Sequence, residues 1–133
     1  MINPDYPLAS WYLVIATTFF VVVIALPLLF APLTWAKWFG WKIPEGNKDL
    51  TVYFGRCLGA AALSMLFAVA HGIPDPKSHH ILFDMVSLVS GLMIIIHVWG
   101  AIRKTQPLSE TIEIAVWAVA FVFAVWIRFS VLS

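Results

Sequence analysis

The stretch SWYLVIATTFFVVVIALPLLFAPLTW, from Ser10 to Trp35, contains no Asp, Glu, Lys, Arg or His. At 1.5 Å per residue, a helix of this length is longer than the roughly 30 Å hydrocarbon core of a bilayer. Lipid offers no water to backbone N–H and C=O groups, so a single apolar stretch of this kind must bond internally, as a helix. Three further apolar stretches follow, at about Leu50 to Ala70, His80 to Arg103 and Ser109 to Leu132. The segments between them, KIPEGNKD, HGIPDPKSH and RKTQPLSE, each set proline beside polar residues, which is turn chemistry. The pattern predicts an all-α integral membrane protein, a four-transmembrane-helix bundle running up-down-up-down with short loops. Residues 1–133 form one domain, with helices at about 10–35, 50–70, 80–103 and 109–132.

Composition agrees. The chain is 11% charged, against about 25% in soluble domains. Its net charge of +1 provides no basic field for nucleic acid. The single cysteine, Cys57, lies inside an apolar stretch and excludes an intramolecular disulfide. No Lys or Arg precedes Lys37, and the first apolar stretch is too long for a signal-peptide core, so it reads as a true span. Pro27 is expected to kink it, because proline removes one backbone hydrogen bond and clashes a turn back. Ser109 followed by ETIE has the form of a helix start, with acids in the first turn.

Four spans put both termini on one side. Lys37, Lys42, Lys48, Arg103 and Lys104 lie in or beside the 1–2 and 3–4 loops, whereas the other side has only Lys77 and Arg128. The positive-inside rule therefore predicts cytoplasmic 1–2 and 3–4 loops and external termini. Trp35, Trp38, Trp41 and Trp99 would mark the cytoplasmic interface, and Trp11 and Trp126 the outer one.

Ionisable residues inside spans are costly, about 2.5–3.5 kcal/mol at the bilayer centre on insertion scales, so each invites a functional hypothesis. Depth along the helices decides which can meet. Arg56 enters the second span from the cytoplasmic side, His97 lies near the same end of the third, and Glu110 and Glu113 begin the fourth. The expected cluster is an Arg56–Glu113 pair with His97 and Glu110 beside it. Either it joins helices, as polar pairs between spans do, or it forms a ligand, proton or substrate site. In the other half, Asp84 and Arg128 share a depth and are expected to form a structural ion pair. Glu110, Trp117, Ala124 and Arg128 line up on one helical stripe facing the bundle. Gly55 and Gly59 form a small-xxx-small pattern for close helix packing.

His71, Asp75, His79 and His80 crowd one outer loop and are the weak candidates for a metal, although their spacing matches no specific motif. A bis-histidine haem would need two histidines at matching depth, and His71 and His97 approach opposite faces of the membrane. No phosphate-cradling loop, nucleophile elbow or zinc-protease helix is present. The expectation is no cofactor and no dedicated metal site.

An apolar first helix ending in LLFAPLTWAKWFGW, followed by YFGRCLGAAALS and an acidic–proline turn, resembles the small bacterial four-helix integral membrane proteins of unknown function. The third span, HHILF through HVWGAI, is similar to part of the four-helix scaffold protein of ergosterol biosynthesis, with a different arginine–glycine order. Both resemblances imply a small membrane bundle serving as an accessory subunit. Together with the scarcity of extramembrane chain, they point to a non-catalytic accessory or scaffold subunit of a larger membrane complex. Its partners would be the lipid bilayer and other integral membrane proteins or a second copy. The alternative is a small membrane enzyme or carrier for a hydrophobic compound, with Arg56 as anion or carbonyl binder and His97 and Glu113 as the acid–base pair.

Overall fold

The computed structural model describes residues 1–133 and is helical throughout, with no strand. We label the helices α1 (Pro7–Phe30), α2 (Pro32–Trp38), α3 (Asp49–His71), α4 (Ile81–Arg103) and α5 (Leu108–Val131). α1, α3, α4 and α5 are each long and apolar enough to cross a membrane, and they form the four-helix bundle of an integral membrane protein. The termini and the α3–α4 loop lie at one end, here called the terminal end. The α2–α3 segment and the α4–α5 loop lie at the other, the basic end.

The first span ends earlier than expected. Residue Ala31 leaves the helix with φ −140° and ψ 57°, because the ring of Pro32 disfavours helical backbone in the residue before it. Trp35 therefore belongs to a separate short helix. In one continuous helix it would stand about 18 Å from Val23; instead its indole N–H donates to the Val23 carbonyl at 2.8 Å. That carbonyl is the one Pro27, four residues on and lacking an N–H, cannot pair. Instead of a simple kink, the helix widens to a π turn over Val21–Ala25 just before Pro27. Trp35 then satisfies the orphaned acceptor inside the apolar region, where leaving it bare would be costly.

α3 packs along α1 and α2, and α4 packs along α5 as the most extensive pair. Gly55 and Gly59 face α1 and α2, so the small-residue pattern is consumed inside the chain. A Cβ on Gly59 would collide with the Leu29 backbone nitrogen and lie 2.8 Å from the Ala25 carbonyl oxygen; one on Gly55 would lie 2.5 Å from Pro32 Cβ. At the terminal end all four spans meet in an apolar core of Ala9, Leu13, Val69, Leu82, Phe83, Ile127 and Leu132. Ser10 seals this end by donating to the Ile73 carbonyl at 2.6 Å, and Asn3 Nδ2 donates to the Pro74 carbonyl at 2.9 Å. Tyr12 ties α1 to α5 by donating its hydroxyl to the Ala120 carbonyl at 2.8 Å, and it stacks on Phe83 of α4.

The backbone contact at Gly59 cannot yield as a side chain could. Gly59→Leu is expected to destabilise the purified protein by about 1–3 kcal/mol, read as a lower midpoint of thermal unfolding in detergent. Gly91→Ala meets only the Phe121 ring at 3.5 Å, and should be neutral or stabilising by up to about 1 kcal/mol, since alanine is the better helix former.

Candidate functional site

At the basic end, α4 presents His97 and α5 presents Glu110 and Glu113, one helical turn apart. His97 is 3% exposed and Glu110 8%, and Glu113 is partly buried. His97 Nε2 lies 3.1 Å from Glu110 Oε2 and 3.7 Å from Glu113 Oε2. Its Nδ1 lies 2.7 Å from the Met93 carbonyl oxygen. A carbonyl only accepts, so Nδ1 carries the proton and Nε2 is the atom turned toward the two carboxylates.

Local backbone geometry holds His97 in place. α4 terminates at Lys104 in the left-handed conformation, φ 54°, with Thr105 N–H bonded back to the Gly100 carbonyl at 3.1 Å. That reversal folds Gln106 over the last turn, and Gly100, with no side chain, leaves the space it needs. Gln106 Nε2 donates to the His97 carbonyl at 3.0 Å and to Thr111 Oγ1 at 3.1 Å, linking the end of α4 to the start of α5.

The α2–α3 segment closes the site. Gly40 turns with φ 80°, a conformation glycine adopts without strain. The turn brings Trp41 back so that its indole N–H donates to Glu110 Oε1 at 2.7 Å. Ser109 Oγ donates to the Phe39 carbonyl. Ser109 therefore does not cap its helix; α5 starts after extended Pro107 with no side-chain cap. Glu110 thus accepts from two chain segments distant in sequence, one oxygen each.

Arg56 is not part of this cluster. It is exposed on α3 and makes no hydrogen bond or ion pair within the chain. Depth along the helix was matched, but rotation was not: the glycines turn an adjacent face of α3 onto α1 and α2, and α3 does not run alongside α5. The expected Arg56–Glu113 pair is therefore replaced by His97 between Glu110 and Glu113. At the terminal end, Arg128 Nε donates to both oxygens of Asp84, at 3.1 and 3.2 Å, joining α4 and α5. On the α5 stripe Glu110, Trp117 and Ala124 are buried, Ile127 completes the row, and Arg128 is half-buried.

His71, Asp75, His79 and His80, at the α3–α4 loop, do not converge. Each histidine directs Nδ1 to a different backbone carbonyl, of Phe67, Asp75 and Lys77. Hydrogen bonds from the Ser78 side chain and backbone hold the Asp75 carboxyl below the usual carboxylate range, as in an Asx turn. In contrast, ligand atoms of His97, Glu110 and Glu113 all lie within 4.8 Å of one another.

Two buried polar atoms beside the cluster have no hydrogen-bond partner, Glu113 Oε1 and Trp117 Nε1. Both residues line a cavity of about 110 Å³, closed on the α1 side by Phe19, Phe20 and Val23. Trp117 stacks on Phe20 with ring centres 5.0 Å apart, and lies 6.3 Å from His97. Trp41 and Gln106 are the site residues that residue spacing did not identify, whereas Trp117 lies on the bundle-facing stripe that spacing predicted. Trp41 reads in sequence as one more interfacial tryptophan, and only the Gly40 turn redirects it.

Comparison with family models, with curated proteins and with solved structures gives no match.

The geometry predicts unequal costs for two charge removals in the purified chain. Glu110→Ala strips both His97 and Trp41 of their acceptor and should cost about 3 kcal/mol or more. Arg56→Ala breaks no intrachain contact and should stay within about 0.5 kcal/mol of the parent. Chemical unfolding in mixed micelles separates the two outcomes.

Proposed function

We propose that this protein is a small accessory or scaffold subunit of a larger membrane complex, and that it meets its partner through the exposed side of α3. The observation that carries this reading is Arg56. It lies seven residues into a membrane-crossing helix, exposed, with no counter-charge in its own chain. Cys57, Ala60 and Ser64 are exposed on the same side of the helix, and small residues there let a neighbouring helix approach closely. Charge decides the kind of partner. Two parallel copies of this face would set Arg56 against Arg56, so the fitting neighbour is a different integral membrane chain with a carboxylate or free carbonyls at that depth. The orientation belongs to the same reading: 1–2 and 3–4 loops cytoplasmic and termini external, from the bias of Lys and Arg, in the bacterial inner membrane that the resemblance to small bacterial four-helix membrane proteins implies.

A small enzyme or carrier acting on a hydrophobic compound has weaker support. The cavity of about 110 Å³ is well below the roughly 300–1,000 Å³ of ordinary ligand pockets, and the proposed anion binder, Arg56, stands apart from it.

Cys57 supplies the test, because it is the only cysteine and is exposed beside Arg56. A thiol-reactive cross-linker applied to native membranes should capture a distinct membrane protein at Cys57, and Arg56→Ala should reduce the yield several-fold. A product containing only two copies of this chain, or none at all, would contradict the reading.

A further inference from the structure

We propose that His97, Glu110 and Glu113 bind one divalent transition-metal ion, with a water molecule completing its coordination. The inference rests on the atoms at the basic end and is independent of any partner at α3.

The donor atoms are already aimed. The Met93 carbonyl at 2.7 Å holds a proton on Nδ1 of His97, so Nε2 is the nitrogen that faces the carboxylates, and it would present a lone pair to a cation that displaces the proton shared with Glu110. Metal-binding histidines are held in the same manner, their second nitrogen donating to a carbonyl or carboxylate. Trp41 occupies Glu110 Oε1 at 2.7 Å, so Oε2 is the oxygen presented to the centre. With bonds of about 2.1 Å, neighbouring ligands of a tetrahedral ion stand about 3.4 Å apart. The distances from His97 Nε2 to the two glutamate oxygens, 3.1 and 3.7 Å, bracket that value.

Charge favours the same occupant. Two carboxylates share one imidazole, and no Lys or Arg side chain pairs with either acid. Two acids against one imidazole within a membrane-spanning bundle are unfavourable unless their charge is neutralised. A divalent cation neutralises both carboxylates and takes the place of the proton between Nε2 and Glu110 Oε2.

The two orphaned atoms indicate the remaining ligand. Trp117 is 8% exposed, its N–H unpartnered, and it faces Glu113 without closing a hydrogen bond to it. Glu113 Oε1 is likewise bare. A water lodged between the two groups can accept from the indole and donate to the carboxylate at once, beside a cavity of about 110 Å³ whose other walls are apolar. One imidazole nitrogen with carboxylate oxygens suits zinc, iron(II) or manganese(II), and is too poor in oxygen ligands for calcium.

The test uses the full chain in detergent, stripped with a chelator and titrated with Zn²⁺, with bound metal also measured by elemental analysis. The expected result is one ion per chain, with affinity reduced about 100-fold or more by His97→Gln or Glu113→Gln. Trp41→Phe, which frees the supporting oxygen, should weaken binding about 10-fold. Glu113→Gln keeps the His97–Glu110 and Trp41–Glu110 contacts, so it reports on binding even where His97→Gln fails to fold. The double variant His79→Ala/His80→Ala should bind as the parent does. Substoichiometric binding by the parent, binding that survives Glu113→Gln, or binding lost in the outer-loop variant would each overturn the proposal.

Discussion

The carboxylate of Glu110 is the joint on which the basic end is assembled. One oxygen faces His97 of α4 and the other takes the indole N–H of Trp41, from the segment that joins α1 and α2 to α3. The neighbouring residue, Ser109, holds the Phe39 carbonyl of that same segment. Without these contacts the α1–α3 half and the α4–α5 half would touch chiefly through the apolar core at the terminal end. Lipid supplies no hydrophobic drive between helices, so packing and polar contacts must do this work. A buried acceptor shared by two donors resists separation because either donor, once freed, would be left unpaired in a region poor in water.

The same requirement explains the less regular parts of the fold. Pro27 frees a carbonyl, the π turn makes space, and Trp35 returns on its own short helix to bond it. Gly59 then lets α3 press on this widened region, backbone to backbone. Each irregularity meets a backbone demand created by another, so the proline, the glycine and the tryptophan form one unit. The exposed side of α3 is the geometric consequence: with its glycines turned inward, Arg56 points outward.

Much of this was legible in sequence because the bilayer reduces the possible folds to a few variables. Hydropathy and proline-marked breaks located the ends of four spans to within about three residues, apart from the end of the first, which falls five residues early. Counting along each helix brought His97, Glu110 and Glu113 to one level and Asp84 to the level of Arg128. Rotation about the helix axis was harder. Arg56 sits at a suitable depth but on the wrong side, and only the packing of Gly55 and Gly59 against α1 and α2 determines that. Trp41 and Gln106 were hidden for a related reason. Their positions follow from left-handed turns at Gly40 and Lys104, which reverse the chain in ways that periodicity does not report. The end of the first span was readable, since Ala31 precedes a proline, but the long apolar run masked it.

The account depends most on the shared acceptor at Glu110, and the indole N–H groups report on it directly. In ¹⁵N-labelled protein in micelles, the Trp41 indole N–H should exchange slowly with deuterium and should be displaced selectively in Glu110→Gln, while that of Trp38, on an exposed side chain, exchanges freely in both. A Trp41 indole that exchanges as fast as that of Trp38, and is unmoved by Glu110→Gln, would contradict the account.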